Sequence, residues 1–405
     1  MNGPGLRIGI GSQSRGGAGA APLILSATHT RLFENRTTIN KQAMSRSAHD
    51  AVCPISKLAV VAAGFYIQAG DPSERALGGS QTVTASVEYP SGTFTQITFD
   101  GGSTSGTCPD GGILVSDEMD LGFTIPQGAT FWIRMFRDSP TGVLFNGFHN
   151  SARGDRAEFG TSLTDKTLSG SIGQAGNNSS GPQAVLARNS TAPGILVMGD
   201  SKTTRYFDTA MSTTAADEGL RGEICRSLGG YAFNNIATSA LRANTWSTEA
   251  VARAAMLPYY SHYIVNLGHN DAYVDARSAA EIQADLESIY SAILAANPAA
   301  KITAVTQTHK STSTDNWATT ANQTFLSQTN QINSLNAVIR AGGMDGVNNG
   351  FIEMADEVST ARDSGLWKND GSTANLWTSD GIHETPFAYG QIEASGAVDP
   401  AVIFA

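Results

Sequence analysis

The sequence predicts two folded domains in series: an antiparallel β-sandwich or jelly roll, then an α/β domain built on a parallel sheet. Three observations carry this reading. Residues 51–190 show short alternating strands divided by Gly, Pro and Asp turn clusters, with no helical periodicity. After Gly194 the strands become fully apolar, as in sheets buried on both faces. Amphipathic helical stretches run between those strands.

Composition bounds the function. With 405 residues the chain is long enough for a core that needs no metal or disulfide staple. Charged residues are only 15%, which with 43 glycines favours β-structure and turns over a charged disordered tail. The net charge of −10 repels phosphate backbones and argues against nucleic acid as the main partner. Cys53, Cys108 and Cys225 are too few for a disulfide framework; a Cys53–Cys108 bridge stays open beside three free thiols. No Cys/His cluster suggests zinc, Asp117, Glu118 and Asp120 are too sparse for a calcium loop, and no cofactor is implied. No apolar run reaches the ~18 residues of a membrane span. The N-terminus, with Arg7, Arg15 and a small-residue stretch from Gly16 to Ala27 broken by Pro22, reads as a Gly-rich arm rather than a signal peptide. Gly9 and Gly11 lack the third glycine of a dinucleotide loop. The compartment and oligomeric state are left open.

In chain order, residues 1–50 read as an irregular lead-in. Lys57–Gln68, Gln81–Glu88, Thr93–Phe99 and the alternation of Phe131, Ile133 and Met135 with Trp132, Arg134 and Phe136 read as strands of the β domain, 51–190. A loop over 176–182 and a last strand, Ala184–Arg188, lead to a junction at Thr191–Gly194. In the second domain, 191–405, Ile195–Met198, Tyr263–Leu267 and Ile302–Val305 read as buried strands. Ala279–Ala296 is a helix with Ile282, Leu286, Ile289 and Ile293 on one stripe, closed by Asn297-Pro298. Asn322–Arg340 is a second helix, with Phe325, Ile332, Leu335 and Ile339.

Ligand sites in open α/β sheets form beyond the carboxyl ends of strands. Gly199-Asp200-Ser201 follows the first apolar strand, Gly268-His269-Asn270-Asp271 follows the second, and Ser379-Asp380-Gly381-Ile382-His383 lies near the end. They supply a hydroxyl, an amide, a carboxylate and an imidazole, the parts of an acyl-transfer site. In that order the motifs resemble the SGNH hydrolases, or GDSL esterases, over residues 194–390. The resemblance implies a three-layer αβα, flavodoxin-like domain. It implies Ser201 as nucleophile, His383 as its base and Asp380 as the group that orients the imidazole. It also implies an oxyanion hole from the Ser201 N–H, the Asn270 amide and a backbone N–H that falls on Ala237, where the family has glycine; Gly229 or Gly230 is the other candidate, though each lies before the strand. Lys202 departs from the family, which has an apolar residue there.

A β-sandwich joined to such a domain resembles the layout of carbohydrate esterases. It implies hydrolysis of a carboxylic ester through an acyl-serine, with an O-acetylated sugar or polysaccharide as substrate. The alternatives are a general short-chain or aryl esterase, and a glycan-binding or phage-tail structural protein with a secondary or decayed site. Asp200 and Asp271 read as loop braces, and His269 as pocket wall. His309, Trp317, Trp367 and Trp377 lie in loops that either line the pocket or pack beneath it, and Arg153-Gly154-Asp155 reads as a chance turn.

Overall fold

Strand Ile55–Ala63 explains how the two halves meet. Its stretch Leu58–Ala63 is unbroken in small and branched apolar residues because both of its faces are covered. In the computed structural model, which describes residues 21–404 apart from 29, 69, 147–149, 174–177, 190, 205 and 209–218, this strand lies in the inner sheet of an antiparallel sandwich. The inner sheet runs Leu23–Leu25, Ala184–Arg188, Ile55–Ala63, Ile113–Val115, and Met119–Ile125 also pairs with Ile55–Ala63. The outer sheet runs Gly106–Cys108, Gln81–Glu88, Thr130–Asp138, Gln42–Asp50, Arg156–Gly160, with Phe94–Ile97 on Gln81–Glu88.

Ile55, Leu58, Val60 and Ala62 point into the sandwich against Val83, Ala85, Val87, Phe131, Ile133 and Met135. Ala59, Val61 and Ala63 point the other way, into one core with Met256, Tyr260 and the helices of the second domain. Cys53 and Cys108 are buried in the sandwich core and Cys225 in the second domain, and none of them is in a disulfide. On the far face of the outer sheet Glu88 sits between Arg46 (2.7 Å) and Arg134 (2.8 Å). Burial alone would raise its carboxyl; hydrogen bonds from the two arginines and the Gly92 N–H hold it at about 2.

The lead-in is not irregular where it is described. Gln42–Asp50 is an inner strand of the outer sheet, paired along its length with Thr130–Asp138, and Leu23–Leu25 edges the inner sheet. Gln42–Asp50 carries no legible alternation, because Ser45, Ser47 and His49 are buried together with Ala43 and Met44. Residues 1–20 of the expected arm and residues 176–177 of the expected loop lie outside the described residues.

The second domain has a six-stranded parallel sheet. We number its strands β1 (Thr30–Arg31), β2 (Gly194–Gly199), β3 (Ala232–Asn235), β4 (His262–Asn266), β5 (Lys301–Val305) and β6 (Phe351–Ile352). The spatial order is β1-β3-β2-β4-β5-β6. Without the edge strand β1 this is the doubly wound flavodoxin-like order. Leu196 and Met198 face the helices Ala279–Ala296 and Thr329–Arg340; Ile195 and Val197 face a layer that includes Ile224, Met354 and Ile392. The sheet is therefore sandwiched between two layers.

Helix Ala279–Ala296 begins at a reciprocal capping box between Ser278 and Glu281 and buries Ile282, Leu286, Ile289 and Ile293. The second helix starts later than its periodicity suggests, at Thr329. Phe325 instead belongs to a small hairpin, opposite Ser311, and is largely exposed. Its fit to the stripe was a coincidence of spacing. No described helix is long and apolar enough to cross a membrane.

Candidate active site

The strand order reverses between β2 and β4, and the crevice beyond their carboxyl ends is where this architecture places ligands. Ser201 opens the short helix Ser201–Thr204 directly after β2. Gly199 is required there, because an added Cβ would lie 2.2 Å from Thr203 Oγ1. Asn270 follows β4 in the helix His269–Tyr273.

His383 arrives from the C-terminal loop, whose turn depends on Gly381. That residue has φ +76°, and a Cβ would stand 2.0 Å from the Ser311 carbonyl oxygen. Its N–H donates to Thr378 Oγ1 (2.9 Å), and its carbonyl accepts from Trp367 Nε1 (3.1 Å).

These elements bring together the three residues expected from the sequence. Ser201 Oγ lies 2.8 Å from His383 Nε2, and His383 Nδ1 lies 2.7 Å from Asp380 Oδ2. An ionised carboxylate only accepts, so Nδ1 carries the hydrogen and Nε2 is free to accept from the Ser201 hydroxyl. The other oxygen of Asp380 accepts the N–H groups of Ile382 and His383, each at 2.8 Å. Burial would raise the Asp380 carboxyl, but bonds from the His383 ring and from these two N–H groups hold it at about 2.

A cavity of about 220 Å³ opens over the pair, lined by Ser201, His383, His269, Asn270, Ser239 and Ala240, with Tyr206, Tyr273, Val274, Lys310 and Ile382. Tyr206 lies against the His383 ring, with centroids 4.4 Å apart, and Phe207 meets its edge at 5.7 Å. Both aromatics are more than two-fifths exposed.

The expected third donor needs correction. The Ala237 N–H is already bonded to Asn235 Oδ1 at 2.9 Å, and Ala237 is absent from the cavity wall. Ala240 lines the wall with φ +68°, the left-handed conformation that favours glycine, and its N–H has no acceptor among the described residues. Asn270 is on the wall, but its amide donates to Asp200 Oδ2 (3.2 Å) and the Leu241 carbonyl (3.1 Å).

Several neighbours act as braces. Buried Asp200 also accepts the Lys202 N–H (3.0 Å), and burial pushes its carboxyl up. Asp271 accepts the N–H groups of Ala243 (2.9 Å) and Asn244 (3.0 Å). Lys202 is buried, with Nζ against Thr308 Oγ1 and 3.0 Å from His269 Nδ1. Burial and then that ammonium push His269 well below the usual imidazole range, so it stays neutral.

His309 and the three loop tryptophans do not line the cavity. Trp367 is fully buried with its ring tilted against His309, centroids 5.0 Å apart, and burial pushes that imidazole down to about 3. Asp155 of the Arg153-Gly154-Asp155 tripeptide is buried and accepts the N–H groups of Ala48 and Asn150. Among the described residues no group of His, Cys, Asp and Glu side chains is placed to hold a metal. Sequence reasoning missed Tyr206, Ala240 and Lys310. Lys310 was within reach, since it lies just past the carboxyl end of β5.

No protein-family profile matches the chain, and no curated protein does. Among solved structures it is similar to a family two carbohydrate esterase from Clostridium thermocellum in complex with cellohexaose, at 12% identity, covering 92% of this chain and 98% of that one, with a TM-score of 0.37. It is also similar to a carbohydrate acetylesterase from Sinorhizobium meliloti, at 19% identity, covering 52% of this chain and 100% of that one, with a TM-score of 0.34. A third similar structure is a carbohydrate esterase family 3 protein from Talaromyces cellulolyticus, at 17% identity, covering 52% and 97% of the two chains, with a TM-score of 0.34.

Proposed function

We propose that the protein is a serine esterase that removes an acetyl group from an O-acetylated carbohydrate. The observation that carries this reading is the unbroken contact chain from Ser201 and His383, on the wall of an open cavity, to Asp380 behind it. Ser201 Oγ attacks the ester carbonyl while His383 Nε2 takes its proton. Asp380 keeps the proton on Nδ1 and stabilises the imidazolium. The imidazolium then protonates the departing sugar alcohol, leaving acetyl-Ser201. Water activated by the same imidazole attacks that ester and releases acetate and free Ser201.

Negative charge on the tetrahedral oxygen needs donors already in place. In this reading they are the Ser201 N–H, unpaired as the first of a helix, the Ala240 N–H, and an Asn270 amide hydrogen that leaves Asp200 or Leu241. The small cavity suits a short acyl group. The exposed Tyr206 and Phe207 beside it suit the apolar face of a sugar ring.

The test is hydrolysis of 4-nitrophenyl acetate and of acetylated xylose oligomers by wild type and Ser201→Ala. Wild type should cleave both, and Ser201→Ala should be reduced by at least three decades on each. Cleavage of the aryl ester alone would point to a general short-chain esterase. Equal rates in the two proteins would remove Ser201 as nucleophile.

A further inference from the structure

The charge that the described residues place on the cavity wall is one-sided. Among the described lining residues Lys310 is the single Lys or Arg, and there is no Asp or Glu. Asp380 and Asp200 lie behind the wall and are bonded to His383, Lys202 and Asn270. Among the described residues a second cation near the site, Lys202, is buried against Thr308 and His269. Lys310 is half-buried; its N–H is fixed by the Tyr273 hydroxyl (3.0 Å), itself bonded to Thr329 Oγ1 (2.8 Å). Its ammonium has no carboxylate partner among the described residues. A cation with no carboxylate partner among the described residues, on the wall beside the reacting serine, is placed to meet an anion that a substrate brings.

We propose that the sugar carrying the ester is a uronate, and that Lys310 is the residue that selects it by meeting its carboxylate. The proposal rests on the esterase reading above. One lysine suits one negative charge. A doubly charged phosphate would leave part of its charge unmet, since no described arginine and no second lysine lines the cavity. The aromatic Tyr206 lies on the His383 side of the same cavity, so a pyranose ring can rest there while an ionised substituent reaches Lys310.

The experiment compares an O-acetylated galacturonoside with a free 6-carboxylate and the same compound as its neutral 6-carboxamide. The readout is the ratio of kcat/KM values within each protein, which cancels any general loss of activity. Wild type should favour the carboxylate about tenfold, as expected for a hydrogen bond to a charged group. Lys310→Met should bring the ratio close to one, Lys310→Arg should restore most of it, and Lys310→Glu should invert it. The wild-type preference should shrink as salt is raised.

A second arm measures binding of the deacetylated galacturonoside to Ser201→Ala by calorimetry, with and without Lys310→Met. A wild-type ratio near one, or a ratio unmoved by Lys310→Met, overturns the uronate proposal and leaves the esterase reading standing. If wild type cleaves no ester, the esterase reading fails, and loss or retention of calorimetric binding in Lys310→Met decides the role of Lys310 by itself.

Discussion

Replacing Asp380 with Asn tests the site with almost no change of shape. The outcome turns on which way the new amide faces. Oδ1 of Asp380 accepts two backbone N–H groups, from Ile382 and His383, both at 2.8 Å. Turning an NH₂ toward them would lose two hydrogen bonds, each worth about 1 kcal/mol, and set donor against donor. The carbonyl oxygen therefore stays on the backbone and the NH₂ faces His383 Nδ1. That nitrogen must then accept, so the ring hydrogen moves to Nε2 and points at Ser201 Oγ, 2.8 Å away. The base is lost although each atom keeps its place. The same tautomer trap costs about four decades in kcat in a Ser-His-Asp triad, or about 5 kcal/mol of barrier.

The stability cost should be small. The Asp380 carboxyl, held at about 2 against an ordinary 3.8, favours the folded state above pH 4, and this is lost as pH falls toward 2. The group is about one-third exposed, so screening leaves under about 1 kcal/mol. Turnover of 4-nitrophenyl acetate should thus fall by about four decades, with KM and melting temperature close to wild type. Activity above a tenth of wild type in a folded Asp380→Asn protein would refute the role of Asp380 in orienting His383.

Two further outcomes are expected. Asn270→Ala should lower kcat by roughly two to three decades; an unchanged rate would leave the oxyanion to Ser201 and Ala240. Asp155 is buried, and burial pushes its carboxyl up to about 6. Its folded value lies above the unfolded one, so between about pH 4 and 6 the folded state holds a proton the unfolded state has lost, and stability falls as pH rises through that window. Urea unfolding at pH 4.5 and 7.5 should show wild type losing on the order of 2 kcal/mol more than Asp155→Asn; equal changes would show that Asp155 does not titrate there.

Much of this architecture is legible in the sequence where burial is one-sided or complete. The stripe through Ile282, Leu286, Ile289 and Ile293 and the unbroken apolar strands of the parallel sheet record their surroundings locally. Gln42–Asp50 does not, because its place depends on partners about 90 and 115 residues away and its buried serines satisfy themselves there, Ser45 on the Met135 carbonyl and Ser47 on His49. Strand β1 has two residues and is defined only by its neighbour β3. At the site, side-chain chemistry could be read from the motifs. A backbone donor could not: the motif pointed to Ala237, and only the folded chain shows its N–H bonded to Asn235 and Ala240 on the cavity wall.

The doubly covered strand Ile55–Ala63 also governs how this protein can be cut. Excising the catalytic half would bare Met256, Leu257 and Tyr260, while the isolated sandwich would expose Ala59, Val61, Leu186 and Leu25. Each fragment would carry a sticky wound where the other had been, and the catalytic half would also forfeit the edge strand β1, which belongs by sequence to one half and by pairing to the other. Melting should accordingly be a single concerted event, and truncated versions should clump rather than report on either half alone.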